Sequence, residues 1–186
     1  MTSFNLKQNS IKKTIVVMGV CGSGKTTIAK RIAESLGVPF IEGDQLHPKT
    51  NVEKMSNGIP LTDEDRWPWL GAIVMECEGV LREYDSVIVS CSALRQDYRH
   101  TLRQGAYDTW FVYLRGSKAL IEQRMAARSG HFMPSQLIES QFETLEEPCG
   151  ETGVIAVDID QPLAQLCLSV VQELGIGGCS LNGNEH

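Results

Sequence analysis

Gly19-Val20-Cys21-Gly22-Ser23-Gly24-Lys25-Thr26 fits the pattern G-x-x-x-x-G-K-[ST]. The apolar, β-branched run Thr14-Ile15-Val16-Val17-Met18 precedes it and reads as a strand. After it, Ile28, Ala29, Ile32, Ala33 and Leu36 recur at helical spacing, and Gly37 is a candidate helix C-cap. Strand, glycine turn and helix together make a phosphate-binding loop. The glycines let backbone N–H groups face phosphate oxygens, and the helix N-terminus adds the positive end of its dipole. The candidate ATP contacts are Gly19, Val20, Cys21, Gly22, Ser23, Gly24, Lys25, Thr26 and Thr27. Lys25 is expected to reach the β- and γ-phosphates, and the Thr26 hydroxyl to ligate Mg²⁺.

The chain has 186 residues, enough for one α/β domain with a sizeable core and short for two. A net charge of −6 argues against a nucleic-acid partner, whose main footprint is basic. Six cysteines form no C-x-x-C pair and no metal-ligand cluster, so they read as thiols in a reducing compartment. No apolar run approaches the length of a bilayer span, and a cytoplasmic protein is expected.

Beyond the first helix, Pro39–Glu42 reads as a second strand, ending at Gly43-Asp44. Ligands of open parallel sheets bind beyond the carboxyl ends of strands, so Asp44 is a candidate to accept a proton from an attacking hydroxyl. Residues 45–58 read as a short helix carrying Lys49 and Lys54, after His47-Pro48. Thr62 and Asp65 resemble a capping box opening a longer helix, with Arg66 and an apolar stripe from Trp67 to Cys77. Ser86–Ser90 reads as a buried strand followed by Cys91-Ser92-Ala93-Leu94-Arg95. That strand ends without the acid that many phosphate-loop proteins place there for Mg²⁺. Metal support is therefore expected from Thr26, water or Asp44. Arg95, Arg99 and Arg103 are spaced by four, which for Arg99 and Arg103 suits a solvated basic face. Trp110–Leu114 is a fourth strand and residues 153–157 a fifth. Between them a helix carries Arg124 and Arg128, one turn apart, ahead of Gly130-His131. Two arginines before such a loop suit a mobile lid that brings positive charge to a transferring phosphate. Pro162 opens the last helix.

Alternating strands and helices predict an α/β fold of the P-loop NTPase type, with a five-stranded parallel sheet flanked by helices. One domain is expected over 1–186, with its core at about 13–175. An acceptor-binding helical segment is expected at 44–70, a lid at 124–148, and loose termini at 1–12 and 176–186. A GTPase switch would carry N-K-x-D and D-x-x-G, and neither string occurs. Neither Cys21 nor Cys91 has an arginine six positions later, as a cysteine phosphatase reading needs. The pattern fits a kinase for a small acceptor.

Further strings carry a resemblance. Met18–Lys25, Gly43-Asp44 through His47-Pro48, and Asn51–Met55 are similar to the gluconokinase family. So are Gly58-x-Pro60-Leu61, Asp65-Arg66-x-Pro68-Trp69-Leu70, Cys91–Leu94, Gly130-His131-Phe132, Gln141–Glu146-x-Pro148 and Asp158-Ile159-Asp160. The match spans roughly residues 14–174. It implies ATP-dependent phosphorylation of D-gluconate at its 6-hydroxyl, feeding the pentose phosphate or Entner–Doudoroff route, on a fold similar to shikimate kinase. It also implies a frequent homodimer. Shikimate and nucleoside monophosphates are the alternative acceptors. Arg95 departs from the family's usual lysine and substitutes a planar fork for a point charge. On this reading Lys25, Asp44, Arg124 and Arg128 are catalytic. Asp44, His47, Lys54, Arg66, Ser92 and His131 contact the acceptor.

Overall fold

The computed structural model describes residues 12–127 and 135–175. In chain order the elements are β1 (Lys13–Met18), α1 (Lys25–Leu36), β2 (Phe40–Glu42), a single 3₁₀ turn (Gly43–Leu46), α2 (Lys49–Ser56) and α3 (Asp63–Val80). They continue with β3 (Ser86–Ser90), α4 (Gln96–Leu102), β4 (Asp108–Arg115), α5 (Lys118–Ala126), α6 (Ser135–Thr144), β5 (Val154–Asp158) and α7 (Leu163–Leu174). The strands form one sheet in the order β2-β3-β1-β4-β5. Every neighbouring pair is parallel.

The alternation of β1 explains the layering. Ile15 and Val17 face a core shared with Ile28 and Ile32 of α1 and Leu166 and Val170 of α7. Val16 and Met18 face the opposite side, among Trp69, Leu70 and Ile73 of α3 and Tyr98 of α4. Successive residues of a strand point to opposite faces, so a wholly apolar strand is one covered on both. This is the doubly wound sheet that the sequence predicts. Because β1 has β3 on one side and β4 on the other, the chain reverses its winding at β1. The crevice beyond its carboxyl end opens at that point.

Local signals set most boundaries. Gly37 caps α1 in the left-handed conformation, its N–H meeting the carbonyls of Ala33 and Glu34. Thr62 and Asp65 form the capping box reciprocally: Thr62 N–H reaches Asp65 Oδ2 at 2.9 Å, and Asp65 N–H reaches Thr62 Oγ1 at 3.4 Å.

Two expectations are corrected. Residues 45–58 are not one helix: a 3₁₀ turn ends at Leu46, and α2 starts only after Pro48. Proline disfavours helical backbone in the residue before it, so His47 is extended (φ −63°, ψ 134°). Nor do Arg99 and Arg103 form a solvated face: both pair with Glu151. Arg95 is the residue before α4, Arg103 the one after, and Arg99 is only 1% exposed. The Arg99 guanidinium donates to both oxygens of Glu151, to Ala93 O and Leu94 O, and to Glu146 O, at 2.6 to 3.1 Å. Spacing places residues on a common face without saying whether that face meets water or partners.

Candidate active site

The phosphate loop leaves β1 and returns as α1. Its first glycine has φ +142°, and a Cβ there would lie 3.0 Å from Leu114 O and 3.1 Å from Ser23 Oγ, so the close approach of β4 excludes a side chain. Ser23 is fully buried behind the loop, and its hydroxyl finds no partner among the described residues. Lys25 donates to Val20 O at 3.0 Å, folding back over its own loop. Burial pushes the Lys25 ammonium below its ordinary range, opposed by the negative groups around it, with Asp44 first and Glu42 among them. Thr26 is partly exposed and Thr27 exposed at the start of α1. The turn at Cys21 is held from outside: its N–H donates to Gln141 Oε1 of α6 at 2.6 Å.

Asp44 is carried by the 3₁₀ turn after β2, and Gly43 places it. A Cβ on Gly43 would meet Ser90 O at 2.2 Å, so β2 can approach the end of β3 only with glycine there. Trp69 Nε1–H donates to Gly43 O at 2.7 Å, which clamps the turn onto α3. Asp44 itself is exposed, and the charge of this one carboxylate acts on both Lys25 of the loop and His47 after the 3₁₀ turn.

His47 stacks on Trp69 with ring centroids 4.0 Å apart, and its Nδ1 lies 3.3 Å from Asn51 Nδ2. Burial pushes its pKa down; Asp44 opposes that shift and Arg66 adds to it. The structure therefore brings Asp44, His47 and Arg66 into one electrostatic neighbourhood. Arg66 is 25% exposed, donates to Tyr98 OH at 3.2 Å and lies 3.7 Å from Asp63. Asp63 is shared: Arg95 reaches it at 2.6 Å and Tyr98 OH donates to it at 2.5 Å. The Tyr98 hydrogen bond, with Arg95 and Arg66 beside it, holds the Asp63 carboxyl below the usual carboxylate range. Lys54 is bound to Asp65 at 2.7 Å, and Asn51, buried, donates to Asp65 O at 2.8 Å. These two contacts staple α2 to the start of α3, so Lys54 is engaged in holding the segment's shape.

Ser92 lies beside the loop: its carbonyl accepts Gly19 N–H at 3.2 Å. Arg124 donates to Ile159 O at 2.6 Å, which moors its guanidinium at the end of β5. Arg128 and His131 lie outside the described residues. Reading the acids strand by strand missed Glu42. The Ser90 hydroxyl at the end of β3 donates to its carboxylate, and its charge acts on Lys25. The missing acid of β3 is thus matched by one on the neighbouring strand, and the signal for it was Glu42 standing two residues before Asp44. Among the described residues no group of three His, Cys, Asp or Glu could form a metal cage. Mg²⁺ bound through one or two protein groups, phosphates and water needs no cage, and Thr26 with Glu42 or Asp44 suits that mode.

A central β1 ending in this loop, Lys25 over it and a carboxylate beyond β2 define a P-loop domain. In agreement, the family model described as an AAA domain matches residues 15–151. The thermoresistant gluconokinase of Escherichia coli K12 is 45% identical over 163 residues, which cover 87% of this chain and 93% of that protein. The crystal structure of a gluconokinase from Sinorhizobium meliloti 1021 is 51% identical with a TM-score of 0.81, covering 89% of this chain and 93% of that one. Shikimate kinase from Aquifex aeolicus shares the fold alone: 15% identity, a TM-score of 0.54, and 87% and 96% of the two chains. The chain belongs to the gluconokinase family.

Proposed function

We infer that this chain transfers the terminal phosphoryl group of ATP to the 6-hydroxyl of D-gluconate, giving 6-phosphogluconate and ADP. The observation that carries the reading is the position of Asp44, whose charge acts on Lys25 of the donor loop and on His47 of the acceptor segment. A family likeness at 45% and 51% identity, against 15% to shikimate kinase, favours gluconate over shikimate.

Gluconate offers a carboxylate at one end and a primary hydroxyl at the other. Asp44 would orient that hydroxyl and take its proton as the oxygen attacks phosphorus. Lys25 and the loop N–H groups would hold the phosphates in line, and charge moving onto the leaving oxygen would meet donors already in place. Arg66, with Ser92 and His47 near the same crevice, would bind the carboxylate and hydroxyls of the acceptor. Arg124, the described lid-side arginine, would leave Ile159 O to add charge near the phosphates. Mg²⁺, held by Thr26 with Glu42 or Asp44 through water, would supply charge neutralisation between the β- and γ-phosphates. A homodimer and a cytoplasmic setting complete the proposal. No described helix is long and apolar enough to cross a membrane.

A coupled ADP-release assay with gluconate, shikimate, nucleoside monophosphates and related sugar acids tests the assignment. Gluconate is expected to give the highest kcat/KM. A higher value for shikimate or a monophosphate would overturn it.

A further inference from the structure

Helix α6 places one polar side chain on the phosphate loop. Gln141 Oε1 accepts the N–H of Cys21 at 2.6 Å. A backbone N–H can be accepted only by the oxygen of a carboxamide, so chemistry fixes which end of Gln141 faces Cys21. The NH₂ group hangs from the same carbon and therefore also stands at the rim of the loop. It has no hydrogen-bond partner among the described residues.

The helix behind this contact is firmly seated. Ile138 is 3% exposed in the core, and Phe142 and Leu145 pack against the same cluster. Just past the helix, Glu146 N–H donates to Leu94 O at 2.9 Å. Gln141 is thus presented by a packed element, which holds a side chain more exactingly than a loop does.

The end of the loop that Gln141 touches is, on the proposed function, the one nearer the acceptor. Gly19 N–H is held by Ser92 O at 3.2 Å, so the Gly19–Cys21 turn abuts the segment after β3, while Gly24 and Lys25 lead into α1. The phosphate nearest the acceptor is the one transferred. A side chain with its acceptor satisfied and two donors free is matched to an anionic oxygen.

We propose that Gln141 is a ligand of the terminal phosphate of a nucleoside triphosphate: its carbonyl is locked on Cys21 and its NH₂ donates to a non-bridging γ-oxygen. It thereby distinguishes the triphosphate substrate from the diphosphate product. This deepens the reading of the loop as the ATP site and rests on it.

The test is calorimetric titration of the full chain with Mg²⁺ and either ADP or the β,γ-imido analogue of ATP, without gluconate. Gln141→Ala is expected to weaken the analogue roughly tenfold, the scale of one lost charge-assisted hydrogen bond, and to leave ADP within about twofold. Gln141→Glu keeps an oxygen for Cys21 but sets a negative charge against the phosphate, so it is expected to weaken the analogue further than alanine does. Unchanged ADP binding certifies an intact loop in each variant. Equal weakening of both nucleotides, no change, or tighter analogue binding in Gln141→Ala would overturn the proposal. If the unsubstituted protein binds neither nucleotide, the ATP-site reading falls and this proposal with it. If it binds both and the variants do not discriminate, only Gln141 loses its role.

Discussion

The Arg99 guanidinium meets the Glu151 carboxylate at 2.6 Å, with the arginine side chain 1% and the glutamate side chain 13% exposed. The same guanidinium holds the carbonyls of Ala93 and Leu94, so the segment returning from α6 and the loop after β3 share one anchor. Ala93 is the one non-glycine at positive φ (45°) among the described residues, a conformation that needs such support.

Replacing Arg99 should therefore cost more than a surface salt bridge would. Arg99→Ala leaves the largely buried Glu151 carboxylate to Arg103 alone and takes this donor from the carbonyls of Ala93 and Glu146, and an expected loss of about 3 kcal/mol, the lower end for breaking a buried pair on one side, follows. Arg99→Lys should recover only part of it, because an ammonium cannot span Glu151 and the three carbonyls as a planar fork does. Urea unfolding of the three proteins measures this; a loss for Arg99→Ala below about 1 kcal/mol, typical of exposed pairs, would contradict it.

Gly43 is expected to tolerate no side chain. A Cβ 2.2 Å from Ser90 O has to push the backbone of β2 away from β3. Gly43→Ala should cost roughly 1–3 kcal/mol, the range for overpacking a rigid site. Asp44 is the next residue, so kcat should fall more than stability alone explains, measured at a temperature where the variant is fully folded. Full activity in a folded variant would show that the turn need not sit where it does.

Asp44→Asn keeps the shape and removes the base. If Asp44 takes the proton of the acceptor hydroxyl, kcat should drop by about 10²-fold or more with little change in KM for ATP. Turnover close to that of the unsubstituted protein would take the role away from Asp44.

Much of this was legible in the residues. The loop motif, the apolar β1 and the Thr62–Asp65 capping box are local patterns, and local patterns survive folding unchanged. What the sequence concealed depended on contacts across long separations. Arg99 looked like part of a charged face because nothing nearby in sequence announces Glu151. Gln141 is 120 residues from Cys21. Glu42 supplies its acid from β2 because strand order, which no single segment encodes, sets it beside Ser90. Residues 45–48 fall outside α2 because Pro48 holds His47 extended, an effect that the helical pattern beyond it hides in the sequence.

Arg66 separates acceptor from nucleotide binding. Its present partners, Tyr98 and Asp63, retain each other and Arg95 when it is removed, so the fold should survive Arg66→Ala. The KM for gluconate should rise about tenfold or more, the scale of a charged hydrogen bond, while KM for ATP stays within about twofold. Steady-state kinetics with each substrate varied in turn reads the difference. A larger effect on ATP would move Arg66 to the nucleotide.

Acid should weaken the fold at Glu151. Hydrogen bonding to Arg99, with Arg103 also at 2.9 Å, holds the Glu151 carboxyl below the ordinary glutamate value despite its burial. Between the lowered folded value and the unfolded value of about 4.3, the unfolded chain binds more protons than the folded one, so stability rises with pH through that window. The contribution is complete above the unfolded value and disappears as pH falls through the folded one. Glu151→Gln has no proton to bind there. The stability gap between unsubstituted protein and variant should be widest above about pH 5 and should narrow steadily towards pH 3, with each pH point taken from a full denaturant curve. Parallel stability curves across that range would mean that the carboxylate is no better stabilised in the folded chain than in water, and that the Arg99 anchor draws its strength from the carbonyls of Ala93, Leu94 and Glu146 instead.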